Sequence, residues 1–231
     1  MKKIPEIQSP EIWRCSDFQH EELVEIRDSR QFSVCMQYPL LGMKNAEERC
    51  FVRRETALRL SRAAELLPAG YRLKIMDAWR PFALQAELFD VYSEKIIRDF
   101  TLADLPEEER NAFIARFVSH PVEDRDIPPV HTTGGAVDLT IIDENGTELP
   151  MGTAFDDFTE KTDTAWFEKG GDTAVRDNRR LLYHVMTEAG FTNLPSEWWH
   201  FDYGDRFWAY YTKSPTLYRG VFRREEFDEE K

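Results

Sequence analysis

The sequence predicts an α+β fold, a single domain in which helices pack on a mostly antiparallel sheet. Three observations lead there. Apolar residues recur at helical spacing in separate segments. Short alternating or β-branched segments lie between and after them. One of these, Ala136 to Ile142, runs into Asp143-Glu144-Asn145-Gly146, and Asn-Gly favours the tight turn that reverses an antiparallel pair.

Taken in order, Arg53 to Leu67 places Ala57, Leu60, Ala64 and Leu67 at helical spacing, and Pro68 and Gly70 end the helix. Tyr71 to Met76 alternates around Leu73 and Ile75 and reads as a strand. Asp77-Ala78-Trp79-Arg80 leads to Pro81, favoured at a first helical position because its missing N–H is not needed there. Phe82 to Phe100 forms the second helix and Glu108 to Val118 the third. The run Glu107-Glu108-Glu109 suits the positive end of that helix dipole. Ala136 to Ile142 is a strand whose return starts at Thr147 to Leu149. Arg176 to Ala189 makes a fourth helix, closed by Gly190, and Trp198 to Tyr203 is an aromatic strand. The charged stretch Arg223 to Lys231 is expected to fray. No repeat or long linker interrupts the chain, so residues 1–231 read as one domain.

The 231 residues are 42% hydrophobic and 13% aromatic, enough for a sizeable core and too much for disorder. The formal charge of −13 repels phosphates and anionic lipid, which argues against nucleic acid or a membrane surface as partner. No apolar run reaches the roughly 20 residues of a bilayer span. The N-terminus turns acidic too soon for a signal peptide, so a cytoplasmic protein is expected. Cys15, Cys35 and Cys50 are odd in number and widely spaced, which favours buried reduced thiols over disulfides or a zinc ribbon.

Of the five histidines, His131 and His200 stand in chemical company. His131 follows Pro128-Pro129-Val130 and precedes Thr132-Thr133-Gly134-Gly135, so the backbone there is shaped by proline and glycine rather than by a regular element. Asp138 lies on the strand that follows. A turn through the two glycines lets His131 and Asp138 reach one point, and a carboxylate on an apolar strand needs a partner. The second cluster is Glu197-Trp198-Trp199-His200. Imidazole and carboxylate both suit zinc, and His131, Asp138 and His200 would give three ligands with a fourth position open for water. Glu197 would then be the base for that water. On a flat strand Glu197 and His200 would not share a face, so a bulge or twist is needed to join them. The two tryptophans suit either a site wall or plain core. Structural ion pairs are the competing reading of each histidine–acid pair. His184 reads as a packed helix residue, His20 and His120 as surface or turn residues, and Phe207-Trp208-Ala209-Tyr210-Tyr211 as packing or a cleft rim.

These residues carry a family resemblance. The sequence resembles the D-alanyl-D-alanine dipeptidases of the VanX type, within the zinc D-Ala-D-Ala metallopeptidases. Their pattern is Ser-x-His-x-x-Gly-x-Ala-x-Asp followed by a distant Glu-Trp-Trp-His. His131, Gly134, Ala136, Asp138, Glu197, Trp198, Trp199 and His200 fall on it. Asp77-Ala78-Trp79-Arg80-Pro81 resembles the family's Asp-x-x-Arg-Pro segment, and Met151-Gly152 through Phe155-Asp156 its Met-Gly-x-x-Phe-Asp segment. The resemblance covers roughly residues 50–203. It implies one zinc ion per chain on His131, Asp138 and His200, with Glu197 as general base and acid. It further implies that Arg80 stabilises the oxyanion and Asp156 holds the free ammonium of a small dipeptide substrate. A salt bridge to Asp77 is the plain alternative for Arg80, and an ordinary loop acid that for Asp156.

The departures bear on the substrate. The family serine two residues before the first histidine is Pro129, which offers neither hydroxyl nor N–H. The arginine often found two residues after that histidine is Thr133. Tyr38-Pro39-Leu40-Leu41-Gly42 resembles the family's Tyr…Asn-Phe-x-Gly segment only loosely. The expected function is therefore zinc-dependent hydrolysis of D,D-dipeptides such as D-Ala-D-Ala. The rivals are a D,D- or L,D-carboxypeptidase on longer cell-wall peptides, a zinc-binding sensor module without turnover, and metal-free hydrolysis by paired carboxylates.

Overall fold

Leu73 and Ile75 on one strand, and Val137, Leu139 and Ile141 on the next, alternate with their neighbours and bury one continuous apolar face. The computed structural model that shows this describes the chain except Ile12, Cys15, Ser16, Asp17, His20, Arg116, Ser119 and Lys231, with only the backbone for residues 228–230. Cys15 and His20, read above as a reduced thiol and a surface residue, lie outside the described residues.

In chain order the elements are β1 (Leu23–Ile26), β2 (Phe32–Val34), α1 (Gln37–Leu40), β3 (Cys50–Arg53), α2 (Arg54–Glu65), β4 (Arg72–Asp77), α3 (Phe82–Asp99) and α4 (Glu107–Ile114). They continue with β5 (Ala136–Ile142), α5 (Thr173–Glu188), β6 (Thr192–Asn193), β7 (His200–Asp202) and α6 (Arg206–Thr212). The main sheet runs β2-β4-β5-β7-β6, and β1 pairs with β3 in a small second sheet. The expected α+β architecture holds. Every pairing is antiparallel except β2 with β4. Strand β5 is buried at every position. Leu60 and Ala63 of α2 and Leu182, Val185 and Met186 of α5 cover its apolar face. Each fully buried Leu or Val side chain contributes roughly 1.5–3 kcal/mol.

Sequence periodicity finds the long elements and misplaces some edges. The second helix ends one residue before the expected Phe100. The first starts at Arg54 because β3 runs directly into it. Asp172 caps the fourth helix by accepting from the N–H groups of Ala174 and Val175, which moves its start ahead of Arg176. The Asn145-Gly146 turn forms, with Asp143 accepting from Asn145 and Thr147 N–H, but the return is a single bridge between Ile142 and Glu148. The last strand covers only His200–Asp202, because Trp198 and Trp199 lie in a turn.

The tail also departs from expectation. Arg224–Glu230 forms a short 3-10 helix instead of fraying. Its apolar residue Phe227 is buried edge-on against Phe51 and Trp79, with ring centroids 5.2 and 4.6 Å away. Arg224 stacks over Phe51 and Phe227 at 4.1 and 4.0 Å. One aromatic anchor thus outweighs the charge of its neighbours. Phe227→Ala should lower unfolding free energy by about 3 kcal/mol in a urea titration; an unchanged midpoint would mean that the tail is not docked.

Candidate active site

Sheet register assembles half of the site. Asp138 on β5 stands directly opposite His200 on β7 and Asp77 on β4. The pairing of β4 with β5 slips between Ile75 and Asp77. Without that slip, Asp77 would share the core face of Ile75, since side chains alternate along a strand. With it, Asp77, Asp138 and His200 sit side by side on the opposite face. Asp202, two residues beyond His200, joins the same face.

His131 arrives from a 3-10 turn, Val130–Thr133, just ahead of β5. Gly134 follows in the left-handed region at φ 73°, and a Cβ on Gly135 would collide with the Tyr203 carbonyl. The two glycines therefore let the chain reverse tightly into β5, which brings His131 back over Asp138. His131 Nε2 lies 3.4 Å from Asp138 Oδ2, and His200 Nδ1 lies 3.0 Å from Asp138 Oδ1. One ligand atom from each of the three residues falls within 4.8 Å of the others, and all three residues are buried.

The outer partners of the two rings fix their tautomers. His131 Nδ1 donates to the Ala78 carbonyl at 2.8 Å, and His200 Nε2 donates to Asp202 Oδ1 at 2.8 Å. In the neutral rings the inner nitrogens then carry lone pairs, and these face each other 3.2 Å apart beside the Asp138 carboxylate. Such a cluster calls for positive charge at its centre. The two imidazoles and one carboxylate, each ring braced by an outer acceptor, fit a divalent metal. Protonation answers the same demand for positive charge. Burial opposes ionisation of Asp138, but His131 and His200 outweigh it and hold the carboxyl below its usual range. Burial likewise opposes charge on His200, while Asp202 and Asp138 push its pKa well up.

Arg80 lies between β4 and α3. Asp77 Oδ2 accepts from its Nε and Nη2 at 2.9 and 2.8 Å, and Gln85 Oε1 accepts from Nη1 at 2.8 Å. Nη2 also donates to the Tyr38 hydroxyl at 3.1 Å and stands 3.7 Å from Asp138 Oδ2. The salt bridge to Asp77 is real, and it aims the guanidinium at the Asp138 carboxylate. Burial disfavours that charge, yet Tyr38, Asp77, Asp138 and Asp156 more than compensate and keep Arg80 protonated.

Glu197 and His200 meet through a β-turn rather than a bulge. His200 N–H donates to the Glu197 carbonyl at 3.3 Å, and Glu197 Oε2 comes within 3.9 Å of His200 Nδ1. Burial pushes the Glu197 carboxyl up to about 8, against the pull of His200. Asp156, at φ 55°, receives hydrogen bonds on Oδ2 from the hydroxyls of Tyr38 at 3.0 Å and Tyr92 at 2.7 Å. Burial raises Asp156 to about 6, while the Tyr92 bond pulls it back.

His131, Asp138, His200, Glu197, Arg80 and Asp156 all line one pocket of about 70 Å³, together with Tyr38, Gln85, Tyr92 and Phe207. A wider cleft of about 500 Å³ adjoins it and shares Asp156, Glu197 and Phe207. Trp199 walls that cleft and not the metal pocket, and Trp198 is core. His184 is half-buried and binds the Lys2 carbonyl, while His120 is exposed beside Phe89. Sequence reasoning missed Asp202, Gln85 and Tyr92. Asp202 was within reach, two residues past His200 on a strand. Gln85 and Tyr92, seven apart on α3, share a helical face, but nothing local marks that face as polar-functional.

A family model described as D-ala-D-ala dipeptidase matches residues 39–216. The chain is similar to the D-alanyl-D-alanine dipeptidase of Synechocystis sp., at 29% identity over 161 residues, covering 64% of this chain and 65% of the relative. The enzyme of that name from Escherichia coli is 29% identical over 158 residues, 68% of each chain. The one from Enterococcus faecium is 29% identical over 151 residues, 64% of this chain and 70% of the other. The match thus spans just under two thirds of the Synechocystis relative's length.

Asp202 braces the outer nitrogen of His200, and losing that brace should show without any substrate. Asp202→Asn, which touches the cluster only through His200, should weaken divalent-metal binding about 10–100-fold in a chelator competition. Unaltered affinity would remove Asp202 from the design of the site.

Proposed function

The chain belongs to the D-ala-D-ala dipeptidase family, and on that premise we propose that it hydrolyses D,D-dipeptides such as D-Ala-D-Ala, using one zinc ion held by His131, Asp138 and His200. One observation carries the proposal: the inner atoms of those three side chains converge in a pocket that Glu197 and Arg80 also line. Zinc suits a two-imidazole, one-carboxylate donor set with a position left open. When bound, it supplies polarisation of the scissile carbonyl and a more acidic attacking water. Glu197 in its carboxylate form takes the proton from that water, and the acid so formed, which burial favours, delivers it to the leaving amine. Arg80, immobilised by Asp77, Gln85 and Tyr38, donates to the oxygen on which negative charge develops. Asp156 holds the substrate ammonium through Oδ1, since both phenols bind Oδ2. The proposed setting is cytoplasmic, supported by the free thiols of Cys35 and Cys50; no helix among the described residues is long and apolar enough to cross a membrane.

The wider cleft favours a second reading. About 500 Å³ of space opens beside Asp156 and Glu197, on the side where the amino end of a dipeptide would lie. That is room for a longer peptide, as a carboxypeptidase would need. Cleavage of an N-blocked wall peptide at a rate matching D-Ala-D-Ala would select this reading.

Two measurements test the main one. Zinc-loaded protein should release D-alanine from D-Ala-D-Ala, and Glu197→Ala should keep its zinc while turnover falls about 10²–10⁴-fold; full activity in that variant would exclude Glu197 as the base. The second is the pH dependence of KM. Asp156 titrates at about 6 among Tyr38, Tyr92, Arg80 and Asp138, so it is ionised above that pH and neutral below it. Ammonium binding should weaken as pH falls through about 6, with KM rising about tenfold per unit further down. Metal loss in acid lowers kcat and spares KM. Asp156→Asn should give a high KM with that dependence gone.

A further inference from the structure

Two phenols from different helices converge on one carboxylate oxygen. Tyr38 from α1 and Tyr92 from α3 both donate to Asp156 Oδ2, and the Tyr92 bond is the shorter at 2.7 Å. Their protons are secure. Burial raises both phenols above their usual range against the pull of Arg80, and the nearby Asp156 charge adds to the rise. The hydroxyl of Tyr38 accepts from Arg80 at 3.1 Å, so its own proton is committed to Asp156. The bonds therefore run in one direction, from Arg80 through Tyr38 to Asp156, with Tyr92 closing the chain from the other side.

Asp156 needs this support. It sits in a loop in the left-handed region at φ 55°, where a side chain with a Cβ is disfavoured. No helix or strand fixes its orientation. The Tyr92 ring, meanwhile, is already anchored, edge-on to Phe158 at 5.0 Å. Its hydroxyl can thus be removed without removing the packing.

We propose that Tyr92 is a specificity-determining residue that acts through Asp156: its hydroxyl pins Oδ2, so that Oδ1 is presented to a free substrate ammonium and dipeptides with an open amino terminus are selected. The inference rests on the reading of Asp156 as the ammonium site. It makes Tyr92 a positioning residue, distinct from Glu197 and Arg80, which act at the reacting atoms.

Tyr92→Phe keeps the ring and deletes the hydroxyl. For D-Ala-D-Ala it should raise KM about tenfold with kcat within about twofold, the signature of lost binding and not of lost chemistry. N-acetyl-D-Ala-D-Ala, tested as substrate and as competitive inhibitor, should bind wild type and variant equally, so preference for the free dipeptide falls about tenfold. Metal content and melting temperature should match wild type. An unchanged preference in Tyr92→Phe, with Asp156→Asn abolishing it, would overturn the role of Tyr92 and leave Asp156 in place. A wild type that binds free and acetylated dipeptides alike, or an Asp156→Asn that still discriminates, would overturn both. Equal loss of kcat on both substrates would mean that Tyr92 is only structural.

Discussion

A carboxylate in the middle of a sheet, on a strand otherwise made of Ala, Val, Leu, Thr and Ile, has no water to solvate it and must be compensated by its neighbours. Asp138 is that carboxylate, and much of the architecture answers to it. His200 comes from the next strand in register, His131 from the turn that precedes β5, and Arg80 approaches from the end of β4. Each compensating group is itself held by an acceptor: Asp202 behind His200, the Ala78 carbonyl behind His131, Asp77 behind Arg80. The holders add negative charge of their own. The cluster therefore stays short of positive charge, and a divalent cation is the group that balances it.

The two sides of the pocket are built differently. The metal side rests on strand pairing, in which a displacement of one residue reverses a face. The other side rests on a loop, a short helix and α3, which contribute Asp156, Tyr38 and Tyr92. The turn that carries His131 is self-satisfied. The hydroxyls of Thr132 and Thr133 turn back onto the carbonyls of Pro129 and Val130 at 2.7 and 2.6 Å. Pro129 and Val130, the pocket-lining residues of this turn beside His131, offer no side-chain donor.

The legible parts of the sequence were those governed by local physics. The spacing of Leu60 and Ala64, the Asn145-Gly146 turn and the apolar run of β5 each act over a few residues, and each marked its element. Asp138 stood out because an acid on an apolar strand is anomalous, and the structure brings His131 and His200 to it. The rest was set by pairing at a distance. The short strands β1, β2, β3 and β6 carry too few residues for a periodic pattern, and all but β6 pair with a strand far along the chain. The slip between Ile75 and Asp77 depends on β5, not on β4 alone. Tyr92 looked like any aromatic on an amphipathic helix until the loop holding Asp156 was folded against it. The tail misled because charge dominates its composition while one phenylalanine decides its place.

The origin of the three inner donors also ties metal affinity to the order of folding. His131 and Asp138 are seven residues apart and meet through one local turn, whereas His200 lies 62 residues beyond Asp138 and reaches it only when β7 docks on β5. Closing so long a loop is a late, non-local event. An unfolded or half-folded chain therefore offers a metal two donors at most from this set, and the third comes with the finished sheet. The geometry of the three donors is therefore complete only when β7 is in register with β5.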